Sequence, residues 1–417
     1  MGHHGERQMK VQAVIAFGLL ACILYGLGAG LRSDIGILLM PLAAHCGIAY
    51  EDVSFCIAVM QIVFGATQPF FGILAMCRSN RFVLFLGAVL LGLSVVGMIE
   101  ATSFWQLMLA LGILFGGGAG ALSFGLILTS AIYFVGKRNA MIISGMLNAA
   151  AGMIGFILSP VLQFLISSFG LIPALTFLLI PIAVLVPVLW VVTSRDPAKA
   201  DIEEADAKDQ DTSLSSLFQA FHNRTFLLLI AGFSTCGFHM VIIESHLFSQ
   251  FVFYGIDGGD ASWAFSVYGI ATILGALASG YVSSLLPKGW ILGFLYGFRA
   301  VWVAAYLFLM PKTVLTAVLF ATGLGFTGDA TVSPTAGLVN EHFSIRQVAT
   351  LMGFLFLCHQ VGAFCSAWFG GILFTATGNY TAIWLIDIAL CLFASIMSWR
   401  IQPLRRVKET DVSLQEK

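Results

Sequence analysis

The chain has 417 residues, a formal net charge of −1, 59% hydrophobic residues and only 10% charged ones. Soluble globular domains carry about 25% charged residues, so that class is excluded; the net charge itself says nothing about nucleic acid, and with the charges in short loops and no basic face, no nucleic-acid partner is expected. Eight cysteines with no CxxC pair, most of them in apolar runs, argue against a disulfide framework or a zinc site, and no cofactor or metal is expected.

A bilayer-spanning helix needs about 20 mostly apolar residues. Twelve such runs are read in chain order, first at approximately 12–41, 53–76, 82–99, 104–134, 140–168 and 171–193. The others cover approximately 225–255, 261–286, 290–310, 313–338, 347–375 and 380–400. His3 and His4 form an ordinary polar start. The run after Lys10 is too long for a signal peptide and lacks a small-residue cleavage site. The domain plan is a bundle over 1–193, a charged linker over 194–224, a second bundle over 225–400 and a tail over 401–417.

Shifting a first-half position by 208 often lands on the same residue. Asp52 and Asp260, Ser54 and Ser262, Gly72 and Gly280, Arg138 and Arg346, and Gly145 and Gly353 are such pairs. A period of half the chain is a duplicated half, not a solenoid unit. In so apolar a chain it predicts an all-α membrane protein with twelve transmembrane helices in two pseudo-symmetric six-helix bundles. With both termini cytoplasmic, 17 of the 20 basic residues fall on that side; Lys312 lies outside, and Arg32 and Arg299 lie within spans. Gly116, Gly117, Gly118 and Gly120 in the fourth run, and Gly362, Ser366 and Gly370 in the eleventh, read as helix-packing stripes. Asp52 and Asp260 open the second and eighth runs as helix caps.

Twelve spans, a six-plus-six repeat and a long central loop resemble the major facilitator superfamily. Its motif between the second and third spans appears here as Gly72, Arg78 and Arg81, with Met76 at the position of the family's Asp. The second copy retains Gly280 and Lys288. The stretch from Tyr25 through Arg32 and Asp34 to Pro41 is similar to the first span of the monocarboxylate transporter-like branch, which often carries Lys or Arg at the Arg32 position. Gln68-Pro69, Gly237-Phe238-His239, Arg299-Ala300 and His359-Gln360 with Gly362 extend the likeness, best to the bacterial members of that branch. The eighth span lacks the Asp/Arg pair of the animal members. The resemblance implies a secondary transporter working by alternating access.

An ionisable side chain at the centre of a membrane helix costs at least about 2.5–3.5 kcal/mol, so each one marks a candidate site. Arg32 shares a face with Tyr25 and Gly28, while Asp34, two residues on, points away on a regular helix. This puts Arg32 toward substrate as an anion anchor. In the seventh span His239, His246 and Gln250 share one face, with Glu244 displaced from it. The histidines are expected to face Arg32 across the cavity, and Asp34, His239 or Glu244 to carry a proton. Arg299 and Asp329 lie at similar depth and are expected to form a structural ion pair, with Asp387 as a possible third member. Asn148, His359 and Gln360 are expected to line the cavity. The function expected is uptake or release of a small organic anion, a monocarboxylate by preference, with a proton. The setting is a multi-pass monomer in the lipid bilayer of the inner (plasma) membrane. The alternatives are an efflux pump for amphipathic compounds, a membrane enzyme (no nucleophile–base spacing, HExxH or nucleotide loop supports one) and a nutrient sensor.

Overall fold

The computed structural model describes residues 3–135, 140–194, 220–343 and 345–401. Most of the expected linker and tail therefore lies outside the described residues. Among these residues, twelve helices are long and apolar enough to cross a membrane. In order they are Ile15–Ser33, Tyr50–Ala75, Asn80–Glu100, Phe104–Ala131, Ala149–Phe169, Leu171–Val192, Arg224–Phe253, Gly258–Val282, Lys288–Phe308, Val314–His342, Leu351–Thr377 and Thr381–Trp399, here called spans one to twelve.

The duplication is visible in the packing. Span one lies on span five, two on four and three on six; in the same pattern span seven lies on eleven, eight on ten and nine on twelve. Two seams join the halves, span two against eleven and span five against eight. The seams are repeat counterparts in detail. A Cβ on Gly65 would press on the Gln360 side chain, and one on Gly152 would meet Ile273, the residues that a shift of 208 exchanges. The glycine run of span four packs helices, as its composition predicts. Added methyls at Gly116, Gly118 and Gly120 would lie 2.7–3.0 Å from backbone atoms of spans two and three. Arg81 ties span three to span six through Thr193 Oγ1 (2.9 Å) and its carbonyl (3.1 Å), beneath the Trp190 ring. Asp52 caps span two by accepting from the Ala49 N–H at 3.1 Å, whereas in span eight Asp257 takes the cap and Asp260 sits in the first turn.

The four spans that converge on the centre are not regular helices. The helix of span one ends at Ser33 and a second one, Ile35–Cys46, starts after Asp34, whose φ and ψ are −92° and 7°. Span seven contains a π-helical segment, Ile243–Leu247. Span four is π-helical over Met108–Phe115 and bends at Leu122. Span ten breaks into a 3-10 turn at Asp329–Thr331. Shifted by 208, position 34 falls at 242 and position 122 at 330, so the irregularities are shared by the two halves. The first apolar run is therefore two helices and not one.

The described contacts between halves gather toward the face opposite the starts of spans seven and eleven, here the distal face. Tyr50 O–H meets His246 Nδ1 at 2.8 Å and accepts from Tyr380 O–H at 3.0 Å. Phe55 packs on Trp368, with ring centroids 5.3 Å apart, and a Cβ on Gly371 would meet Ser54. Between spans five and eight, Ser266 donates to the Phe156 carbonyl (2.8 Å) and Ser159 to that of Ser262 (3.2 Å). At the other end of the same seams, a Cβ on Gly72 or Gly353 would meet nothing within 4 Å. Among the described residues, the contacts that join the halves thus lie toward the distal face. In the distal loop after span nine, Lys312 donates to the carbonyls of Tyr306 and Met310, and burial pushes its ammonium below the usual lysine range.

Gly36 carries the distal closure at the centre, because a methyl there would strike the Glu244 and Ser245 carbonyls. Gly36→Ala is expected to lower the thermal stability of the detergent-purified protein by about 1–3 kcal/mol, the usual cost of overpacking. An unchanged melting curve would show that spans one and seven do not meet there.

Candidate functional site

At the break in span one, Arg32 reaches across to span seven. Nη1 donates to Glu244 Oε2 at 2.8 Å and Nη2 to Oε1 at 3.2 Å, a two-pronged guanidinium–carboxylate pair. Nη1 also donates to Gln61 Oε1 of span two at 3.0 Å, and Gln61 Nε2 donates to Glu244 Oε2 at 3.4 Å. The Phe64 ring lies 5.1 Å from the guanidinium carbon. Glu244 is buried, while Arg32 keeps 18% of its side chain accessible, so the pair has one open side. Tyr25, half-buried on the same face of span one, stacks edge-on against Phe124 at 5.5 Å.

Asp329 belongs to the same space. It sits at the break of span ten, midway along the span, yet its side chain is exposed. Arg32, His359 and Arg299 lie within its electrostatic reach, and its own charge is felt at Tyr25, Glu244 and Tyr268. Its side chain is exposed, yet the groups that share its electrostatic surroundings belong to spans one, seven, eight, nine and eleven. This puts it inside the bundle, on the central space between them, and not on the lipid face. His359, half-buried, borders this cavity and packs against Phe233, with ring centroids 5.1 Å apart.

The expected ion pair between Arg299 and Asp329 is not formed. Arg299 is fully buried and donates to the carbonyls of Thr327 (2.5 Å) and Gly328 (2.8 Å) and to Cys236 Sγ (3.4 Å). The break in span ten frees these carbonyls from the helical ladder, and the guanidinium takes them in place of the carboxylate. Arg299 is thus a brace for the kink.

The histidine stripe of span seven is also corrected. His239 Nδ1 bonds Asp387 Oδ2 of span twelve at 2.8 Å, with both side chains inaccessible, so it does not face Arg32. Gln250, on the same face, accepts from Trp384 Nε1 of span twelve at 2.7 Å. His239 and Gln250 form the packing face toward span twelve, whereas His246, inside the π segment Ile243–Leu247, bonds spans eleven and two. His246 Nε2 donates to the Ala367 carbonyl at 3.0 Å and Nδ1 accepts from Tyr50, making it part of the distal closure. His239, Asp387 and Cys391 bring three donor atoms within 4.8 Å of one another. Arg299 lies within reach of this cluster and opposes a cation there.

Asp34 is buried against Gly155 of span five, with Oδ2 unpartnered. Gln360 is buried on the seam with Gly65 rather than in the cavity. Asn148 lies on the span-five helix, and its side chain falls outside the described residues, as does that of Met76. Gln61, Tyr50 and Tyr380 were not anticipated. Gln61 is an uncharged polar residue inside an apolar run, a signal that a search for charges alone passes over.

An apolar groove on span six, lined by Leu179, Ile180, Val184 and Pro187, is open to lipid and remote from these charges. It lacks the convergent polar groups of a binding site.

Residues 15–254 and 252–417 each match the Major Facilitator Superfamily. The chain is 24% identical over 391 residues to an uncharacterized MFS-type transporter, YcxA, of Bacillus subtilis, covering 90% of this chain and 91% of that one. It is 28% identical over 273 residues to mouse monocarboxylate transporter 11, covering 64% of this chain and 58% of that protein. Among solved structures, the xylose transporter XylE from E. coli superposes with a TM-score of 0.73 at 12% identity, covering 96% of this chain and 99% of that one, which shows the fold.

If Arg299 braces the kink, its loss orphans buried carbonyls at about 1–3 kcal/mol each. Arg299→Gln is therefore expected to lower the melting temperature markedly, and Asp329→Asn to leave it nearly unchanged. The double variant should melt with Arg299→Gln; recovery in the double variant would restore the ion pair.

Proposed function

The chain belongs to the Major Facilitator Superfamily, and on that premise we propose that it carries a small organic anion of the monocarboxylate class together with a proton. It is a multi-pass membrane transporter and not an enzyme. Alternating access about the midplane site moves the cargo. The bias of basic residues supports cytoplasmic termini and an inner or plasma membrane setting. The distally closed form is then the inward-facing one.

One observation carries this reading: Arg32 is held by Glu244 across the two halves, on the edge of a cavity. A guanidinium offers one two-pronged face, and Glu244 occupies it. A substrate carboxylate can take that face only if Glu244 gives it up. A proton on Glu244 removes the competing charge and lets the substrate exchange for it on Arg32. Binding of the anion and of the proton are thereby linked, because each favours the form that receives the other. Gln61 can then serve either carboxylate, since its amide both donates and accepts. The distant likeness to monocarboxylate transporters supports the cargo class. Asp34, whose buried Oδ2 has no partner, is the second proton carrier to consider, because an uncompensated buried charge is costly.

Arg32→Gln is expected to abolish anion binding while the protein still folds, measured by thermal stabilisation with a carboxylate panel. Retention of full uptake by that variant would remove the anchor. Glu244→Gln mimics the protonated carboxyl, so it should bind the anion at least as tightly as the parent and lose the pH dependence of binding. In proteoliposomes the parent should load faster as pH falls on the substrate side, since protonation of Glu244 precedes capture. Glu244→Gln should exchange labelled substrate but fail to accumulate it against a gradient. Gradient-driven accumulation surviving in Glu244→Gln moves the proton to another group, with Asp34→Asn as the next variant.

A further inference from the structure

We propose that the cargo bears a cationic nitrogen group as well as its carboxylate, and that Asp329 is the residue that receives that cation. The inference rests on Arg32 as the carboxylate anchor and adds a second, oppositely charged subsite to it.

Asp329 has the position. The break in span ten places its exposed side chain in the central cavity, within electrostatic reach of Arg32. It makes no hydrogen bond or ion pair among the described residues, although an unpaired ionisable group at this depth is costly. The nearby cations are otherwise engaged. Arg299 directs two nitrogens onto the carbonyls of Thr327 and Gly328 and onto Cys236. Arg32 is held by Glu244 and Gln61. His359 does not supply the missing charge either. Its Nδ1 is buried with no acceptor, so a second ring N–H there would go unmet.

Charge balance points the same way. With a proton on Glu244, the accessible charges are Arg32 and Asp329, one of each sign, while the buried Arg299 has Asp387 in the same neighbourhood to offset it. A plain monocarboxylate would bring the loaded site to a net charge of minus one in a low-dielectric space. A zwitterion leaves it neutral, with its carboxylate on Arg32 and its cation on Asp329. A carboxylate only accepts hydrogen bonds, so it suits an ammonium or guanidinium, whose nitrogens only donate.

The test uses matched acids that differ only at the nitrogen: L-alanine with L-lactate, L-phenylalanine with L-phenyllactate, and 4-aminobutyrate with 4-hydroxybutyrate. Binding to the full-length detergent-purified protein is measured by calorimetry and thermal stabilisation. For at least one pair the amino acid should bind about tenfold or more tighter than its hydroxy partner, since a polar site rejects an analogue lacking the group that it reads. Asp329→Asn should erase that preference by weakening the amino acid, and should bind the hydroxy acid at least as tightly as the parent does because a competing negative charge is gone, while Asp329→Glu keeps part of the preference. Hydroxy acids binding as tightly as the amino acids in the parent overturn the inference but not the anchor. So does an Asp329→Asn variant that weakens both members alike. If Arg32→Gln leaves binding of the hydroxy acids unchanged, the anchor itself is wrong. Silence of all six ligands on the parent overturns the second subsite.

Discussion

A guanidinium cannot be left alone in the middle of a membrane, and the structure of the centre follows from where Arg32 finds its partners. Its carboxylate comes from the other half of the molecule, its amide from span two, and its ring from Phe64. Removing either member of such a pair strands a charge at about 3–5 kcal/mol. The same contact that stabilises the closed distal seam is therefore the one that a competing carboxylate can replace. A pair that was fully buried on both sides would be a staple. This one leaves Arg32 partly open to the cavity, which makes exchange of partners sterically feasible.

Partner exchange requires helices that can present side chains off the regular lattice. An unbroken span one would send Arg32 and Asp34 in opposite directions with no freedom to adjust. Here Arg32, two residues before the break at Asp34, meets Glu244 within the π segment Ile243–Leu247, while Asp34 turns to span five. Spans four and ten bend at matching points, and the bend in ten both exposes Asp329 and frees the carbonyls that fix Arg299. Discontinuous helices at the midplane are where such proteins place their sites, because loosened backbone is tolerated only beside a cavity or a partner. The seams around this centre are built from glycines that allow near-backbone contact, so the halves meet as firm surfaces.

Much of this was readable in the chain. Apolar runs and the 208-residue offset carried the number of spans and the two-bundle plan, because lipid forces backbone bonds into helices and makes length diagnostic. Arg32 and Tyr25 were legible as neighbours on one face, since the helix between them is regular. His239 was misread for a physical reason: helical spacing shows which residues share a face, not which neighbour that face meets. Its face meets span twelve, where Asp387 waits, and the cavity falls to Glu244. The Arg299 assignment failed because span ten is broken, and a break creates acceptors that no side-chain count reveals. Gln61 escaped because its role depends on two charged partners far away in sequence.

The repeat also shows where the chemistry had to depart from symmetry. Shifted by 208, Arg32 falls on Met240, Glu244 on Gly36, Asp329 on Ala121 and His359 on Ala151. Arg299 and Asp387 fall on Leu91 and Leu179, and His239 on Leu31. Each charged or titratable group at the centre thus has a small or apolar counterpart. Near a pseudo-two-fold axis this is a requirement: Gly36 lies against the Glu244 backbone, so a charge kept in both copies would face its own likeness at close range. Opposite charges on opposite halves attract when the halves close, and a cargo that neutralises one of them alters how strongly they do. The duplicated frame supplies two surfaces that can rock, and the unmatched charges give the rocking a dependence on what is bound between them.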